Sequence, residues 1–306
     1  MTGMTAVLTK AAAFVLIIVT GYLLKKKGIF HPEDFSLLSK IVIRITLPCA
    51  IIANFSNITM EYSLLFLCLM GFVFNLLMVG IGYLKNIRKD GDTRAFDMVN
   101  LSGYNIGNFT LPFVQSFLGP TGFAATSLFD AGNAIMCTGV TYALASMTRG
   151  GGGQSSVKQI FKTLFSSLPF DAYVIMTILT ILHISLPQVV VSYAQTVGNA
   201  NAFLALFMIG IGFEIRMERE KLWRMFSLMG IRYGMALVIA LAVYFLLPFS
   251  LEIRQAMAIV AFGPISSVSP AFTEKLEGDV ALSSAVNSLS IVLSIVTITL
   301  TLLIVL

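Results

Sequence analysis

Charged residues are scarce in this chain: Lys, Arg, Asp and Glu make up 11% of its 306 residues, whereas 57% are hydrophobic. A soluble domain usually carries about a quarter charged residues, so this composition excludes an ordinary soluble protein and indicates an integral membrane protein. The charges are confined to short patches between long apolar runs. This pattern predicts an all-α bundle, because the strands of a membrane barrel alternate with a period of two.

Cysteine and histidine are also scarce. Cys49, Cys68 and Cys137 lie inside apolar runs, which indicates reduced packing residues, and His31 and His183 are far apart in sequence. The sequence contains no phosphate-binding glycine loop, nucleophile elbow or metal-ligand spacing. We therefore expect no enzymatic activity, no metal and no cofactor. Basic and aromatic residues do not interleave, so we expect no nucleic-acid partner.

Ten apolar runs approach the roughly 20 residues that a helix needs to cross a bilayer. The connections after the odd-numbered runs hold 15 Lys and Arg residues, whereas the opposite side holds 2. The positive-inside rule then predicts a multi-pass protein of the cytoplasmic membrane with both termini extracellular. The ten spans are predicted at about residues 4–24, 35–55, 62–84, 95–118, 121–146, 169–186, 189–213, 223–247, 253–275 and 279–305.

The ten spans divide into two sets of five. A run of four glycines, residues 150–153, lies in the middle of the chain and predicts a flexible cytoplasmic linker. At an offset of 158 residues, span one overlays span six, span three overlays span eight, and span five overlays span ten. Because each set has an odd number of helices, the second set enters from the opposite face, which predicts inverted repeats. The predicted units are a first repeat at 1–147, a linker at 148–168 and a second repeat at 169–306.

Spans four and nine contain proline, glycine and polar residues where a continuous apolar helix is expected. The interruptions are NIGNFTLP at residues 105–112 and GPISSVSP at residues 263–270. Hydrocarbon cannot satisfy free backbone groups, so a helix unwinds at membrane depth only where protein or a watery cavity receives them. Matching interruptions in two halves of a chain indicate a secondary transporter whose substrate binds there. The predicted substrate-binding residues in these segments are Asn105, Gly107, Asn108, Thr110, Pro112, Pro264, Ser266, Ser267, Ser269 and Pro270.

Helix arithmetic predicts that four polar or helix-breaking positions reach the membrane centre. At about 1.5 Å per residue, Asn105, Pro264, Asp130 and Arg44 all lie roughly 14–16 Å from a membrane surface, within a core of about 30 Å. We therefore expect them to converge. Arg44 has two open interpretations. It is either a fixed positive charge that binds an anionic substrate, or a structural residue that pairs with Asp130 or extends toward the cytoplasmic surface.

Four further polar residues are assigned to coupling or support of the site. Asp130 and Asn133 share a helix face at i, i+3, and Asn199 and Asn201 of span seven come close to the same depth. Asp130 could carry a proton or help to bind a cation, and a structural hydrogen bond to the broken spans is equally open. Arg232 lies only about eight residues into span eight, and we interpret it as an anchor at the membrane interface.

The interrupted spans carry a family resemblance. Residues 105–122, NIGNFTLPFVQSFLGPTG, resemble the Asn-x-Gly…Pro…Gly pattern of the auxin efflux carrier family, and residues 47–48, residues 209–212, Pro264 and Pro270 fit the same family. That family includes bacterial permeases suggested to move malonate, malate and similar acids, and the plant PIN-formed auxin exporters. The resemblance implies a bile-acid symporter/PIN-like fold of two inverted five-helix repeats with a crossover of broken helices four and nine. It also implies a scaffold domain, a transport domain and a homodimer.

Taken with the resemblance, the sequence predicts a secondary transporter of small organic anions, namely carboxylates, that works by alternating access. The anion is predicted to bind at the midplane crossover of helices four and nine. The lipid bilayer is the second expected partner of the protein. The alternative is a cation/proton antiporter or a Na⁺-coupled symporter on the same scaffold. Antiport of this kind usually requires two adjacent midplane carboxylates, and only Asp130 is present, with Arg44 opposing a cation. Coupling to H⁺ or Na⁺ stays open.

Overall fold

Every regular element of this computed structural model is helical, within the residues that it describes, 3–56, 64–150, 157–213 and 219–306. The predicted all-α membrane class is therefore confirmed. Three short π-helical turns, Val42–Thr46, Ile106–Thr110 and Met136–Val140, join α-helical segments. The α-helices are α1 (Gly3–Lys26), α2 (Asp34–Ile41), α3 (Leu47–Phe55), α4 (Leu65–Lys85), α5 (Gly91–Leu101), α6 (Leu111–Phe117), α7 (Pro120–Ile135), α8 (Thr141–Arg149), α9 (Val157–Leu164), α10 (Leu168–Ile181), α11 (Gln188–Gly198), α12 (Asn201–Gly212), α13 (Leu222–Leu246), α14 (Leu251–Ala261), α15 (Ser269–Lys275) and α16 (Val280–Val305).

Six helices of the described part are long and apolar enough to cross a membrane, which makes the chain a multi-pass membrane protein. The predicted spans four, five, six and nine are not among them. Spans four and nine are interrupted, the non-helical backbone of Gly139 breaks span five within the Met136–Val140 turn, and α10 has only 14 residues. The six long helices are Thr5–Lys26, Asp34–Phe55, Leu65–Lys85, Gln188–Gly212, Arg219–Leu246 and Val280–Val305.

The helices pack in two groups, and each group draws on both predicted repeats. In the first group, called the α1/α12 bundle, α1 and α2 pack on α12, and α3 packs on α10 and α11. In the second, called the α4/α7 bundle, α4 packs on α5 and α7, α7 packs on α14, and α13 and α15 complete the group with α16. The broken spans belong to the α4/α7 bundle. The division at the middle of the sequence is therefore not the division between packed bundles.

The predicted linker contains more structure than its glycines indicate. Gly150 ends α8 in the left-handed region, with φ +84°, and residues 151–156, which hold the other glycines of the run, lie outside the described residues. Beyond them, the short helix α9 falls inside the predicted linker and packs against the Met136–Val140 turn.

Two glycines allow the backbones of α4 and α7 to come into direct contact. A Cβ atom at Gly71 or Gly132 would overlap with a backbone carbonyl of the facing helix. The close approach brings Asn75 of α4 to Asn133 of α7, and the Nδ2 of Asn75 donates to the Oδ1 of Asn133 at 3.0 Å. A pair of amides is thereby fixed in the middle of the bundle, next to the broken span four.

Ion pairs and a hydrogen bond hold the beginning of broken span four in place. The Asp97 carboxylate of α5, which is 1% exposed, accepts from Lys85 at 2.9 Å and from the Nδ2 of Asn86 at 2.6 Å. Arg224 of α13 reaches the second oxygen of the same carboxylate at 3.2 Å. The first half of span four is therefore tied to α4 and α13 before it reaches the interruption.

Helix α5 begins with a side-chain cap. The Asp90 carboxylate accepts from the backbone N–H of Thr93 at 2.7 Å, which satisfies one of the free N–H groups of the first turn. This hydrogen bond, with a second from the Thr93 hydroxyl, lowers the pKa of Asp90 below its ordinary value.

The glycine contact between α4 and α7 predicts a stability change. Gly132→Ala should lower the melting temperature of the purified protein, because overpacking of a closed interface costs about 1–3 kcal/mol. Gly80→Ala on α4 is the matched control, because a Cβ there has no atom within 4 Å. An equal melting temperature for both variants, measured by thermal unfolding in detergent, would contradict the close approach.

Candidate functional site

Spans four and nine unwind at one place and touch each other there. Helix α5 ends at Leu101 and helical structure resumes at Ile106, whereas α14 ends at Ala261 and α15 begins at Ser269. We call residues 102–105 and 262–268 together the crossover. The backbone N–H of Asn105 donates to the carbonyl of Pro264 at 2.9 Å. One backbone group of each break is therefore hydrogen-bonded to the other break.

Gly103 makes this contact sterically possible. Its φ of +75° lies in the left-handed region that favours glycine, and an added Cβ would lie 2.7 Å from the Cβ of Ser266. Any larger residue would force the two breaks apart.

Arg232 of α13 joins the two breaks with a single side chain. Its guanidinium donates to the carbonyls of Leu101 at 2.5 Å, Gly103 at 2.9 Å and Gly263 at 3.2 Å. It also lies over the Tyr104 ring, 4.1 Å from the ring centre. The side chain is 2% exposed, so the interpretation of Arg232 as an interfacial anchor is wrong. Counting residues from the start of span eight places only the backbone of Arg232, whereas its long side chain reaches carbonyls of other helices.

Two asparagines satisfy the backbone of the first break. The Oδ1 of Asn75 accepts from the N–H of Gly103 at 2.6 Å, and the Oδ1 of Asn133 accepts from the N–H of Tyr104 at 3.0 Å. Asn133 also donates to the carbonyl of Tyr104 at 2.8 Å. The sequence analysis selected Asn133 but missed Asn75, whose signal was its position as the single amide in the apolar run of span three.

Asp130 connects this support to the other bundle. Its carboxylate accepts from the Nδ2 of Asn133 at 2.9 Å and from the Tyr173 hydroxyl of α10, also at 2.9 Å. Because α10 belongs to the α1/α12 bundle, the Tyr173–Asp130 hydrogen bond crosses the boundary between the two bundles. Asp130 makes no ion pair with Arg44, which excludes one of the open interpretations of that arginine.

A polar stripe on α16 satisfies the second break. The Nδ2 of Asn287 donates to the carbonyls of Ile265 and of the residue after it, both at 3.0 Å. The N–H of Ile265 donates to the Ser290 Oγ at 3.1 Å, and the Ser294 hydroxyl donates to the carbonyl of Phe262 at 2.6 Å. These side chains follow one another at i, i+3 and i+7, a helical spacing that could have been found in the sequence.

A cavity of about 210 Å³ opens beside the crossover, between the two bundles. Four of the predicted substrate-binding residues line it: Asn105, Asn108, Ser267 and Pro270. The Oδ1 of Asn108 is buried and has no hydrogen-bond partner in the described part of the chain. The rest of the wall is formed by Phe35, Met208, Ile209, Gly212, Ser284, Asn287, Ser288 and Ile291.

The other six predicted residues of the broken spans do not line this cavity. The hydroxyls of Thr110 and Ser269 donate to backbone carbonyls, at 3.4 Å and 3.2 Å. An added Cβ at Gly107 would lie 2.9 Å from the side chain of Leu47, so Gly107 provides space for α3. The remaining three residues, Pro112, Pro264 and Ser266, are buried in α6 or in the crossover.

Three predicted residues lie away from the crossover cavity. Arg44 is exposed and lines a second cavity, so only three of the four positions expected to converge do so. Asn201 is buried and accepts from the Thr46 hydroxyl at 2.9 Å, and Asn199 is exposed at the end of α11. The reason is geometric: counting residues gives the depth of a side chain but not the direction in which it leaves its helix.

Two interrupted helices that meet inside an all-α bundle with several membrane-spanning helices define the class of a multi-pass membrane transporter. The family model described as membrane transport protein matches residues 6–302. The chain belongs to this family, the auxin efflux carriers, whose members are transporters rather than enzymes. A search of the curated proteins finds no match.

The role of Arg232 predicts a large loss of stability when it is replaced. Arg232→Met should lower the melting temperature strongly, because each buried carbonyl left without a donor costs about 1–3 kcal/mol. Arg232→Lys should also destabilise, since a compact ammonium cannot reproduce the planar guanidinium fork. Arg88→Met, at an exposed arginine between α4 and α5, controls for the lost charge and should melt like the unmodified protein. If Arg232→Met melted like Arg88→Met, the hydrogen bonds of Arg232 to the two breaks would make no contribution to stability.

Proposed function

We propose that the chain is a secondary transporter of small organic anions, chiefly carboxylates, and that the anion binds in the crossover cavity. The observation that carries the proposal is that cavity, with the amides of Asn105 and Asn108 and the hydroxyl of Ser267 in its wall. Among the residues that the structure describes, no acidic side chain lines it. Amide N–H and hydroxyl groups can donate to a carboxylate, whereas the unpartnered buried Asn108 Oδ1 is an acceptor that a water or a hydroxyl group of the ligand would satisfy.

The charge distribution around the crossover favours an anion. Helix α5 ends at the crossover and presents carbonyls, where a cation would be stabilised, and the same holds for α14. Arg232 already donates to carbonyls from both ends. A helical segment begins at Ile106, directly after Asn105, which lines the cavity, and negative charge is favoured near the N-terminal end of a helix.

The same arrangement argues against the cation-coupled alternative. In broken-helix transporters, unwound carbonyls coordinate Na⁺ or accompany H⁺ transfer. Here the carbonyls of Leu101, Gly103 and Gly263 accept from the permanent positive charge of Arg232. We therefore propose that transport proceeds without Na⁺ at the crossover. Export of an anion is then driven by the membrane potential, at about 2.3 kcal/mol per charge per 100 mV.

The place of the cavity supports an inward-open state. Its wall includes Phe35 near the start of α2, Gly212 at the end of α12 and Ser284 near the start of α16. These helix ends lie toward the side on which Lys and Arg are concentrated, which the positive-inside rule assigns to the cytoplasm. We propose ten spans in two inverted repeats in the cytoplasmic membrane with external termini. Alternating access would move the α4/α7 bundle against the α1/α12 bundle, within a homodimer.

Replacement of Asn108 tests the binding site. Asn108→Leu should abolish the rise in melting temperature that carboxylates cause, because it removes the polar group and fills the cavity with an apolar side chain. Gln115→Leu is the matched control, since the Oε1 of Gln115 is also buried and unpartnered but does not line the cavity. Ser267→Leu should act like Asn108→Leu. The measurement is a thermal-shift screen against mono- and dicarboxylates, and unchanged affinity in both cavity variants would move the site elsewhere.

Ion dependence tests the mechanism separately. In proteoliposomes, uptake of a carboxylate identified by the screen should follow an imposed potential equally well in Na⁺ and in choline buffers. A pH-sensitive dye in the same vesicles should report no Na⁺-driven proton movement. Carboxylate transport that requires a Na⁺ gradient, or Na⁺/H⁺ exchange without any carboxylate, would favour the cation-coupled alternative instead.

A further inference from the structure

The second cavity, which Arg44 lines, has a volume of about 620 Å³ and lies away from the crossover cavity. Lys40 and Arg44 project from consecutive turns of span two into its wall, and the hydroxyls of Ser39, Thr138 and Ser167 stand around them. The wall therefore joins α2 and its π-helical turn to the Met136–Val140 turn and to the start of α10. No residue of the two cavity walls is shared.

The two cations of this cavity have no protein counter-charge. Neither Lys40 nor Arg44 forms an ion pair or a side-chain hydrogen bond within the ranges that the structure describes. No acidic residue of the described part of the chain lines the cavity, and the hydroxyl of Ser167 does not cap the first turn of α10. A cavity with two cations, several hydroxyls and a free helix start has the composition of an oxyanion site.

The cavity adjoins a segment that is suited to the membrane interface. Helix α10, whose start lines the cavity, has 14 residues and rises about 21 Å, which is less than the roughly 30 Å of a hydrocarbon core, so it does not cross the core by itself. The preceding helix α9 exposes the rings of Phe161 and Phe165, at 57% and 56%, and also carries exposed Lys158 and Lys162. Exposed apolar rings beside exposed lysines on a short helix are typical of a segment that lies in the membrane interface.

We infer that this cavity binds the phosphate group of an anionic phospholipid, with Lys40 and Arg44 as its cationic ligands. Basic pockets between transmembrane helices on the cytoplasmic side are suited to anionic head groups. The volume of about 620 Å³ accommodates a head group with its glycerol, whereas a small free anion would leave most of it to water. The exposed side chain of Leu168, in the same wall, offers an apolar path for the acyl chains.

A lipid titration of the intact protein in a neutral detergent tests the assignment. The probes are short-chain phosphatidylglycerol, short-chain phosphatidylcholine and glycerol 3-phosphate, and the readout is the melting temperature at each concentration. The test variant is Lys40→Gln/Arg44→Gln. The matched control is Lys26→Gln/Lys27→Gln, which removes the same charge from exposed lysines at the end of α1. Arg44→Lys, which keeps the charge, serves as a second variant should the double one fail to fold.

We expect phosphatidylglycerol to stabilise the unmodified protein and the control pair, with at least a tenfold weaker apparent affinity in Lys40→Gln/Arg44→Gln and a smaller loss in Arg44→Lys. Phosphatidylcholine should have little effect. An equal response in both double variants, or none in any protein, would overturn the site. Full stabilisation by glycerol 3-phosphate would leave a phosphate site but overturn the lipid assignment. Carboxylates should still raise the melting temperature of Lys40→Gln/Arg44→Gln. Loss of this effect would show that the two cations bind the carboxylate substrate instead.

Discussion

The contact on which the crossover depends is the guanidinium of Arg232 with carbonyls from both broken spans. At membrane depth the carbonyls of an unwound backbone have no water that could donate hydrogen bonds to them, so the protein must supply the donors. Arg232 supplies them to Leu101, Gly103 and Gly263 at once, from one buried side chain. Those carbonyls carry the partial negative charge of two helix ends, which in turn stabilises a buried cation that has no carboxylate partner among the described residues.

The remaining backbone groups of the two breaks are satisfied by different chemistry. Amides from α4 and α7 serve the first break, whereas an amide and two hydroxyls from α16 serve the second. In the register of the proposed repeat, Tyr233 stands 158 residues after Asn75, and its hydroxyl donates to the carbonyl of Ser290 at 2.5 Å. Asn75 thus contacts the first break directly, whereas Tyr233 contacts the helix that supports the second.

The sequence predicted the breaks, the membrane class and the meeting of Asn105 with Pro264, because proline and glycine leave a clear signal in an apolar run. It did not predict Arg232 or the separation of Arg44 from the crossover. Both failures have one cause: helix arithmetic measures depth, whereas contacts depend also on the face from which a side chain leaves. Arg44 lines the second cavity and not the crossover cavity, and Arg232 reaches the crossover from α13 because its long side chain extends to carbonyls of other helices.

The bonds of the site differ in what a movement between the bundles would do to them. Arg232, Asn75, Asn133 and Asn287 all bond within the α4/α7 bundle, so the crossover can move as one body without exposing its carbonyls. The Tyr173–Asp130 hydrogen bond instead crosses between bundles and must break or change partner. A carboxylate that loses a donor inside a membrane is destabilised unless a proton or water replaces it. In the proposed alternating access, part of the cost of the movement would therefore fall on Asp130, which makes it the group through which protonation would affect the rate.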